Sequence, residues 1–108
     1  MSPIDDNRRI EIEFTERFDR WLLRLRDRQA AARITERLIR LADGHWGDVK
    51  PVGEGVSELR VACGPGYRLY AFKRNQTWVV ILGGGDKSSQ RRDIEEAKTL
   101  ARIYKDDD

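Results

Sequence analysis

The stretch 56–82, VSELRVACGPGYRLYAFKRNQTWVVIL, decides the fold, because three runs of β-forming residues follow one another in it with a turn between them. The runs and their breaks are residues 56–63, Gly64-Pro65-Gly66, residues 67–74, Asn75-Gln76 and residues 77–82. Glycine, proline and asparagine favour turns over strand interiors. The stretch therefore predicts an antiparallel β-meander, to which residues 50–52 could add a short leading strand.

The residues before the meander predict one strand and two helices. Residues 9–14 alternate charged and apolar side chains, as a half-buried strand does. Thr15 and Asp27 are good N-cap residues, and each precedes an apolar stripe at helical spacing. The stripes are Phe18, Trp21, Leu22 and Leu25 in the first helix and Ala30, Ile34, Leu38 and Leu41 in the second, with Arg33, Glu36, Arg37 and Arg40 facing outward. Gly44 should end the second helix, and the short link predicts an antiparallel helical hairpin.

The residues after the meander predict a final helix. Gly83-Gly84-Gly85 should end the sheet, and Ser88 or Ser89 should cap a helix whose apolar side chains are Ile94, Ala97, Leu100, Ala101 and Tyr104. The predicted fold is a single α+β domain over residues 1–108, in the order β-α-α-β-β-β-α. A small, mainly antiparallel sheet packs on the helical hairpin, because the apolar stripes of the hairpin need a partner surface.

Composition excludes several classes of protein. A chain of 108 residues is too short for a two-domain oxidoreductase, a TIM barrel or a protein kinase. The longest apolar run, residues 78–82, is far shorter than a membrane span, and the N-terminal residues lack the apolar core of a signal peptide. One cysteine, Cys63, and one histidine, His45, argue against a disulfide or a structural zinc site. We therefore expect a cytoplasmic protein with no membrane partner.

Positive charge is concentrated in the second half of the chain. Residues 49–92 carry eight lysines and arginines against three acidic residues, although the whole chain has a net charge of only +2. If Cys63 lies opposite Tyr67 in the first hairpin, one sheet face carries Glu58, Arg60, Arg68, Tyr70, Phe72 and Arg74. Arginines beside aromatic rings suit single-stranded RNA. Cross-strand pairing of Glu58 with arginine, with the rings as packing, explains the same face, and both interpretations stay open.

Two further features carry weaker signals. Gly83-Gly84-Gly85-Asp86-Lys87 resembles a phosphate-binding turn but lacks the spacing of a P-loop. Lys87 nevertheless precedes a predicted helix N-terminus, where backbone amides favour anions. Cys63 and His45 fit a small core residue and an incidental loop residue better than catalytic groups.

Four strings, taken in order, resemble the RelE/ParE toxin superfamily and, within it, the HigB-like addiction module killer proteins. They are WGDVKPVG at 46–53, VSELR at 56–60, GPGYRLY at 64–70 and LGGGDKSSQ at 82–90, and the resemblance extends over residues 18–101. It implies a RelE-like fold and the toxin half of a type II toxin–antitoxin pair. Many members cut mRNA in the ribosomal A site without a metal or other cofactor. The implied partners are the ribosome, mRNA and a cognate antitoxin, a small helix-turn-helix protein from the same operon. This antitoxin should lie over the basic face of the sheet or in the groove of the helical hairpin.

The resemblance also implies roles for individual residues. Arg68 matches the arginine that contacts the scissile phosphate, Arg60 the basic residue of the preceding strand, and Lys87 a third basic position. Glu58 or a neutral Lys87 would accept the proton of the attacking ribose 2′-hydroxyl. The residues expected to contact RNA are Lys50, Tyr70, Phe72, Arg74 and Arg91. The chain departs from the family at a catalytic tyrosine of the last helix, where Arg92 and Asp93 stand.

Three functions stay open on the sequence alone. The first is a ribosome-dependent mRNA endoribonuclease, which inhibits translation. The second is a ParE-like inhibitor that binds DNA gyrase and has no nuclease activity. The third is a toxin remnant that only binds its antitoxin. Because Arg60, Arg68 and Lys87 are all present, we rank the nuclease first.

Overall fold

The computed structural model describes residues 9–106 of the chain, so residues 1–8 and 107–108 of the predicted domain lie outside the described residues. Its elements are β1 (Glu11–Phe14), α1 (Glu16–Arg24), α2 (Arg28–Ala42), β2 (Val49–Gly53), β3 (Val56–Val61), β4 (Tyr67–Asn75), β5 (Trp78–Asp86), a 3₁₀ turn (Lys87–Ser89) and α3 (Gln90–Asp106). The five strands form one sheet in the order β1-β5-β4-β3-β2. Only β1 and β5 run parallel. The predicted α+β fold is confirmed, and β2 is the leading strand that the sequence left open.

The register of the first hairpin differs from the prediction by two residues. Arg60 lies opposite Arg68 and Glu58 opposite Tyr70, because Ala62 and Cys63 belong to the turn and not to the strands. A one-residue slip would exchange the two faces of a strand, whereas a two-residue slip preserves them. The predicted composition of each face is therefore right, although the predicted cross-strand partners are wrong.

Strand β5 continues to Asp86, so the prediction that Gly83-Gly84-Gly85 ends the sheet is wrong. The glycines are needed because helices approach the strand closely. A Cβ atom on Gly84 would lie 2.5 Å from ring atoms of Trp21 in α1, and one on Gly85 would lie 1.9 Å from Asp93 Oδ2 in α3. Glycine in a strand commonly marks such a close approach. The run therefore sets how near the two helices come to the sheet.

Both faces of the sheet are covered, each by a separate apolar cluster. The first cluster joins α1 and α2 to the sheet through Phe18, Ala30, Ile34, Leu38, Leu41, Leu59, Val61, Leu69, Ala71, Val79 and Ile81. The second lies under α3 and contains Val56, Tyr70, Phe72, Val80, Leu82, Ala97 and Ala101. The face predicted to be open is thus closed by α3 over most of its length. At its end near Arg60 and Arg68 the face is partly accessible, with 40% and 12% of these side chains exposed.

The predicted helix caps of the hairpin are confirmed. Thr15 Oγ1 accepts a hydrogen bond from the Phe18 amide, and Asp27 Oδ1 accepts one from the Ala30 amide. Gly44 has a φ of +91° and follows α2 in a Schellman motif, where the His45 amide donates to the Arg40 carbonyl. For the last helix, Asp86 caps the preceding 3₁₀ turn through the Ser88 amide, so Ser88 is not the cap. Ser89 directly precedes α3, which begins at Gln90, but its hydroxyl donates to Asp93 Oδ2, so capping by Ser89 stays a prediction.

A shallow apolar groove of about 370 Å³ lies between the start of α1 and the end of α2, beside β1. Its apolar lining includes Phe14, Phe18, Leu22, Leu38 and Ile39. Among residues 9–106, no helix has the length and apolar character needed to cross a membrane.

Candidate functional site

At the accessible end of the sheet face that α3 covers, a buried carboxylate lies between two arginines. Only 1% of the Glu58 side chain is exposed. Its Oε1 lies 3.4 Å from Arg60 Nε, and its Oε2 lies 3.5 Å from Arg68 Nε. Arg60 and Arg68 are cross-strand partners, so both point to this face from adjacent strands. The structure therefore brings the two arginines together around one carboxylate.

Two neutral donors complete the surroundings of Glu58. Tyr70 Oη donates to Glu58 Oε2 at 3.3 Å, and Gln90 Nε2 donates to the same oxygen at 2.9 Å. Burial, and then the negative charge of Glu58, raise the pKa of the Tyr70 hydroxyl, so this group stays protonated and remains a donor. A buried carboxylate needs such partners, because an uncompensated charge is costly in the interior. Gln90, which the sequence analysis did not single out, belongs to this site.

This burial does not fit the predicted role of Glu58 as a proton acceptor. A ribose hydroxyl would have to approach within about 3 Å of a carboxylate oxygen to transfer its proton. Both oxygens of Glu58 already face donors of the protein. The arrangement suits a role for Glu58 in positioning the two arginines. Of the two predicted proton acceptors, Glu58 and Lys87, Lys87 is the exposed one.

The two arginines differ in their access to solvent. The side chain of Arg60 is 40% exposed, and that of Arg68 is 12% exposed. Arg68 Nη1 donates to the Gly66 carbonyl at 3.3 Å, whereas its buried Nε makes no hydrogen bond. Arg68 thus lies in the wall of the site, and Arg60 is the more accessible of the two guanidiniums for an incoming anion.

Arg37 supports the strand that carries Arg60, although the sequence predicts it to face outward from α2. Its guanidinium donates to the carbonyls of Arg60, Trp46 and Asp48, with distances of 3.0 Å to Trp46 and 2.7 Å to Asp48. Burial lowers the pKa of Arg37, although Asp48 opposes this effect. A Cβ atom on Gly47 would lie 2.8 Å from Arg37 Nε, so the glycine makes room for the guanidinium. The Trp-Gly-Asp string is the only sequence signal for this contact.

Predicted RNA-contacting residues Lys50 and Arg91 lie beside the site. Lys50 is the cross-strand partner of Glu58 on β2, and Arg91 stands in the first turn of α3. Both are exposed and line a shallow groove of about 480 Å³ between β2 and α3, which also contains Gln90 and Lys98. The groove extends the positive surface away from Arg60.

Three other predicted RNA-contacting residues are not available there. Tyr70 is fully buried and Phe72 is 8% exposed, because α3 covers both rings, so the prediction that they stack on bases is wrong. Arg74 packs over the Trp78 ring at 4.3 Å and near Tyr104. It lies six residues along β4 from Arg68, about 20 Å in an extended strand. Arg74 therefore belongs to the opposite end of the sheet, and so does Tyr104, the tyrosine of α3.

Lys87 follows β5 in the 3₁₀ turn and is exposed. It comes two residues after Gly85, the cross-strand partner of Arg68, and so stands at the same end of the sheet as the arginine pair. Among residues 9–106, no three His, Cys, Asp or Glu side chains converge in the way that a metal site requires. The chemistry that these groups can supply is positive charge directed at one anionic position.

Known proteins resemble this chain in sequence and in fold, although no protein-family model matches it. A protein of Haemophilus influenzae described only as uncharacterized is 46% identical over 93 residues, which are 86% of this chain and 94% of that protein. The free Escherichia coli toxin RelE shares the fold with a TM-score of 0.67 at 14% identity, over 85% of this chain and 98% of that one. A chain of the toxin–antitoxin complex RelBE2 from Mycobacterium tuberculosis is 26% identical, with a TM-score of 0.58, over 73% of this chain and 99% of that one.

These likenesses agree with the strings quoted from the sequence, whereas membership of the HigB-like branch stays a prediction. The sheet of this chain, with the helical hairpin on one face and α3 on the other, superposes on RelE with a TM-score of 0.67, which shows a RelE-like fold. The chain therefore has a RelE-like fold, and its structural neighbours support the RelE/ParE toxin superfamily that the sequence strings resemble.

Proposed function

We propose that this protein is the toxin of a type II toxin–antitoxin pair and that it cuts mRNA on the ribosome in the cytoplasm. The observation that supports this activity is the convergence of Arg60 and Arg68 on Glu58 at the accessible end of the sheet. Two guanidiniums fixed at one place can bind the two non-bridging oxygens of a phosphodiester. Lys50 and Arg91 would hold the flanking phosphates of the same strand.

The reaction would be an attack of a ribose 2′-oxygen on the adjacent phosphorus. The bond from phosphorus to the 5′-oxygen of the next nucleotide breaks, which leaves a 2′,3′-cyclic phosphate and a free 5′-hydroxyl. Negative charge builds up on the pentacoordinate phosphorus, where positioned cations lower the barrier most effectively. Arg60 and Arg68 supply that charge. A neutral Lys87 or solvent takes the proton of the 2′-hydroxyl, and the leaving 5′-oxygen receives a proton from solvent.

Glu58 contributes by fixing the arginines before the substrate arrives. A guanidinium with many rotamers would lose conformational entropy on binding, whereas one already held by a carboxylate loses less. One carboxylate faces two guanidiniums, so Glu58 does not cancel their positive charge completely. The site therefore remains attractive to a phosphate.

The first test is cleavage of mRNA by purified protein in a translation reaction with active ribosomes. We expect cuts within codons, and we expect Arg60→Gln to lower the rate by about 10² to 10³-fold, since it removes one charge from the transition state. Arg33→Gln on the exposed face of α2 is the matched control, with the same loss of charge away from the site. Intact transcripts with the wild-type protein would refute the nuclease.

The same preparations decide the alternative target. A ParE-like toxin would inhibit supercoiling by DNA gyrase and leave mRNA intact. We expect no inhibition of gyrase by the wild-type protein at concentrations that cut mRNA. Inhibition of gyrase that survives Arg60→Gln would assign the protein to the second class.

A cognate antitoxin is the proposed partner, supported by the likeness to a chain of the RelBE2 toxin–antitoxin complex. We expect a small helix-turn-helix protein encoded next to this chain. It would cover the basic face or occupy the apolar groove between α1 and α2. Co-expression should yield a stable complex and relieve growth arrest. Normal growth of cells that express this chain alone would contradict the proposal.

A further inference from the structure

A second positively charged surface, which we name the α1 arginine cleft, lies on the other side of the end of β5. Its volume is about 450 Å³, and its walls come from α1, the last residues of β5, the 3₁₀ turn and the start of α3. Arg17, Arg20 and Arg24 project into it from α1, and Arg92 faces them from α3. None of these arginines belongs to the site around Glu58.

The cleft exists because β1 is shorter than β5. Strand β1 pairs with β5 only from Trp78 to Ile81, and the chain then turns at Thr15 into α1. The end of β5 therefore has a helix beside it where a strand would otherwise lie. Gly84 lets the Trp21 ring pack directly on the strand, so the ring forms part of the lining. The result is a concave surface with an aromatic wall and a row of guanidiniums.

Among the residues that line this cleft, arginines outnumber carboxylates by four to two. Asp86 and Asp93 also line it, but Asp86 accepts hydrogen bonds from the Ser88 amide and hydroxyl, and Asp93 accepts one from Ser89. Glu96 pairs with both Arg17 and Arg92, and Glu16 pairs with Arg20. Arg24 takes part in no ion pair within residues 9–106. The side chains of Arg17, Arg20 and Arg92 are 45–75% exposed. Guanidiniums with this exposure can turn toward an external anion.

We propose that the α1 arginine cleft binds the phosphodiester backbone of single-stranded RNA, as a second contact separate from the site of Arg60 and Arg68. Arg17, Arg20 and Arg24 follow one stripe of α1 and span about 10 Å along its axis. Successive phosphates of a stacked strand are about 3.4 Å apart along the axis, so the stripe can follow several of them. The choice of RNA as the polyanion rests on the proposed function.

The lining favours RNA over an acidic protein segment. A peptide that docks on a surface normally anchors apolar side chains in apolar pockets. This cleft offers instead guanidiniums, serine hydroxyls, strand glycines and one indole ring. Guanidiniums for phosphates and a ring for a base or ribose are the combination that single-stranded nucleic acid requires. The apolar groove between α1 and α2 is a separate surface with the opposite character.

The test is the salt dependence of binding to an unstructured RNA with 2′-O-methyl riboses, which this protein cannot cut. The cleft variant is Arg20→Gln/Arg24→Gln in the full chain. The control, Arg28→Gln/Arg33→Gln, removes the same charge from exposed positions on α2. Each phosphate contact on a single strand contributes about 0.7 to the slope of log K against log salt. We expect the cleft variant to lose about 1 from this slope and to bind at least about fivefold more weakly, while the control loses much less.

The outcomes separate this proposal from the nuclease. The RNA cannot be cleaved, so binding reports on the cleft even if the wild-type protein cuts no mRNA. Equal losses in the cleft variant and the control would overturn the proposal, because the effect would then come from net charge. Unchanged RNA binding together with weaker binding of poly-glutamate would also overturn it and would identify the cleft as a surface for an acidic protein. Both variants should keep the far-ultraviolet circular dichroism and melting temperature of the wild type.

Discussion

Glu58 shows how a single residue can determine the electrostatics of a surface. The sequence places Glu58 in the first strand of a basic hairpin, and two interpretations of it were open, a proton acceptor and a partner for arginine. The side chain is 1% exposed and faces Arg60, Arg68, Tyr70 and Gln90. Removal of one partner of a buried ion pair leaves the other charge buried and uncompensated. Replacement of Glu58 should therefore lower the stability of the protein as well as its activity.

Replacing Glu58 with glutamine should destabilise the protein by about 3 kcal/mol, because Arg68 Nε then lies buried without a counter-charge. Urea denaturation of the two proteins measures this difference. Glu54→Gln is the matched control, since Glu54 pairs with Arg102 at an exposed position and should leave the denaturation midpoint nearly unchanged. A stable Glu58→Gln protein with full nuclease activity would show that the carboxylate does not organise the site.

Arg37 links a helix, a loop and a strand, since it stands on α2 and donates to carbonyls of the 45–48 loop and of β3. The Arg60 amide in turn donates to the Asp48 carbonyl, which fixes the loop to the strand. Helical periodicity placed Arg37 on the outer face and could not show that a loop folds back over it. Periodicity describes one helix, whereas this contact depends on the path of a loop nine or more residues further along the chain.

Arg37→Met should destabilise the protein by about 2 kcal/mol, because it leaves partly buried carbonyls without their charged donor. Amide hydrogen exchange should become faster at Arg60, whose hydrogen bond to Asp48 depends on the position of the loop. Arg33→Met on the same helix, but exposed, serves as the control and should leave exchange at Arg60 unchanged. Equal exchange in all three proteins would mean that Arg37 does not hold the loop.

The prediction from the sequence differs from the structure most at the end of β5. A Gly-Gly-Gly run is typical of a turn, and the prediction ended the sheet there. The strand continues through these residues because they pair with β4. Gly84 and Gly85 are glycines because Trp21 of α1 and Asp93 of α3 approach them too closely for a side chain. Composition alone does not distinguish a glycine needed for a turn from one needed for close packing.

Gly84→Ala should destabilise the protein by about 2 to 3 kcal/mol, because the new Cβ would overlap with the Trp21 ring and force it to move. Gly83→Ala is the control in the same strand, since the nearest atoms to its Cβ belong to the flexible Arg17 side chain at 3.6 Å. Thermal denaturation followed by circular dichroism compares the two. Partial recovery of the melting temperature in Gly84→Ala/Trp21→Leu would identify the ring as the cause.

At the scale of the whole molecule, two apolar clusters enclose one sheet, and both contain a tyrosine whose hydroxyl resists ionisation. Burial raises the pKa of Tyr67, and burial with the charge of Glu58 raises that of Tyr70. The folded state therefore favours the protonated forms. Their contribution to stability is complete below about pH 10, where the unfolded tyrosines ionise, and it decreases as the pH rises above that value.

The free energy of unfolding should therefore fall more steeply above about pH 10 in the wild type than in Tyr70→Phe. At neutral pH the substitution should cost about 1 kcal/mol, the usual value for one lost hydrogen bond. Urea denaturation from pH 8 to pH 11 measures both effects. Parallel profiles for the two proteins would show that Tyr70 ionises as readily in the folded state as in the unfolded state.

The sequence predicted the fold well because most of the signal is local. The helical stripes and the caps Thr15 and Asp27 each depend on neighbouring residues, and they are confirmed. The alternating residues do form strand β1, although Phe14 is 43% exposed. The assignment of Arg60 and Arg68 to one face also survived, since a two-residue slip in register preserves faces. The prediction of an open sheet face was wrong at Tyr70 and Phe72, because the sequence does not show where α3 packs on the sheet.

The glycines at the end of β5 have a consequence for how this protein tolerates change. Gly84 and Gly85 have no space for even one methyl group, because an indole lies over the first and a carboxylate over the second. Every other amino acid brings at least that much bulk. Gly84 and Gly85 are therefore the residues of this strand that are hardest to replace, although glycine has no side chain that could bind or react. They lie between the site around Glu58 and the α1 arginine cleft.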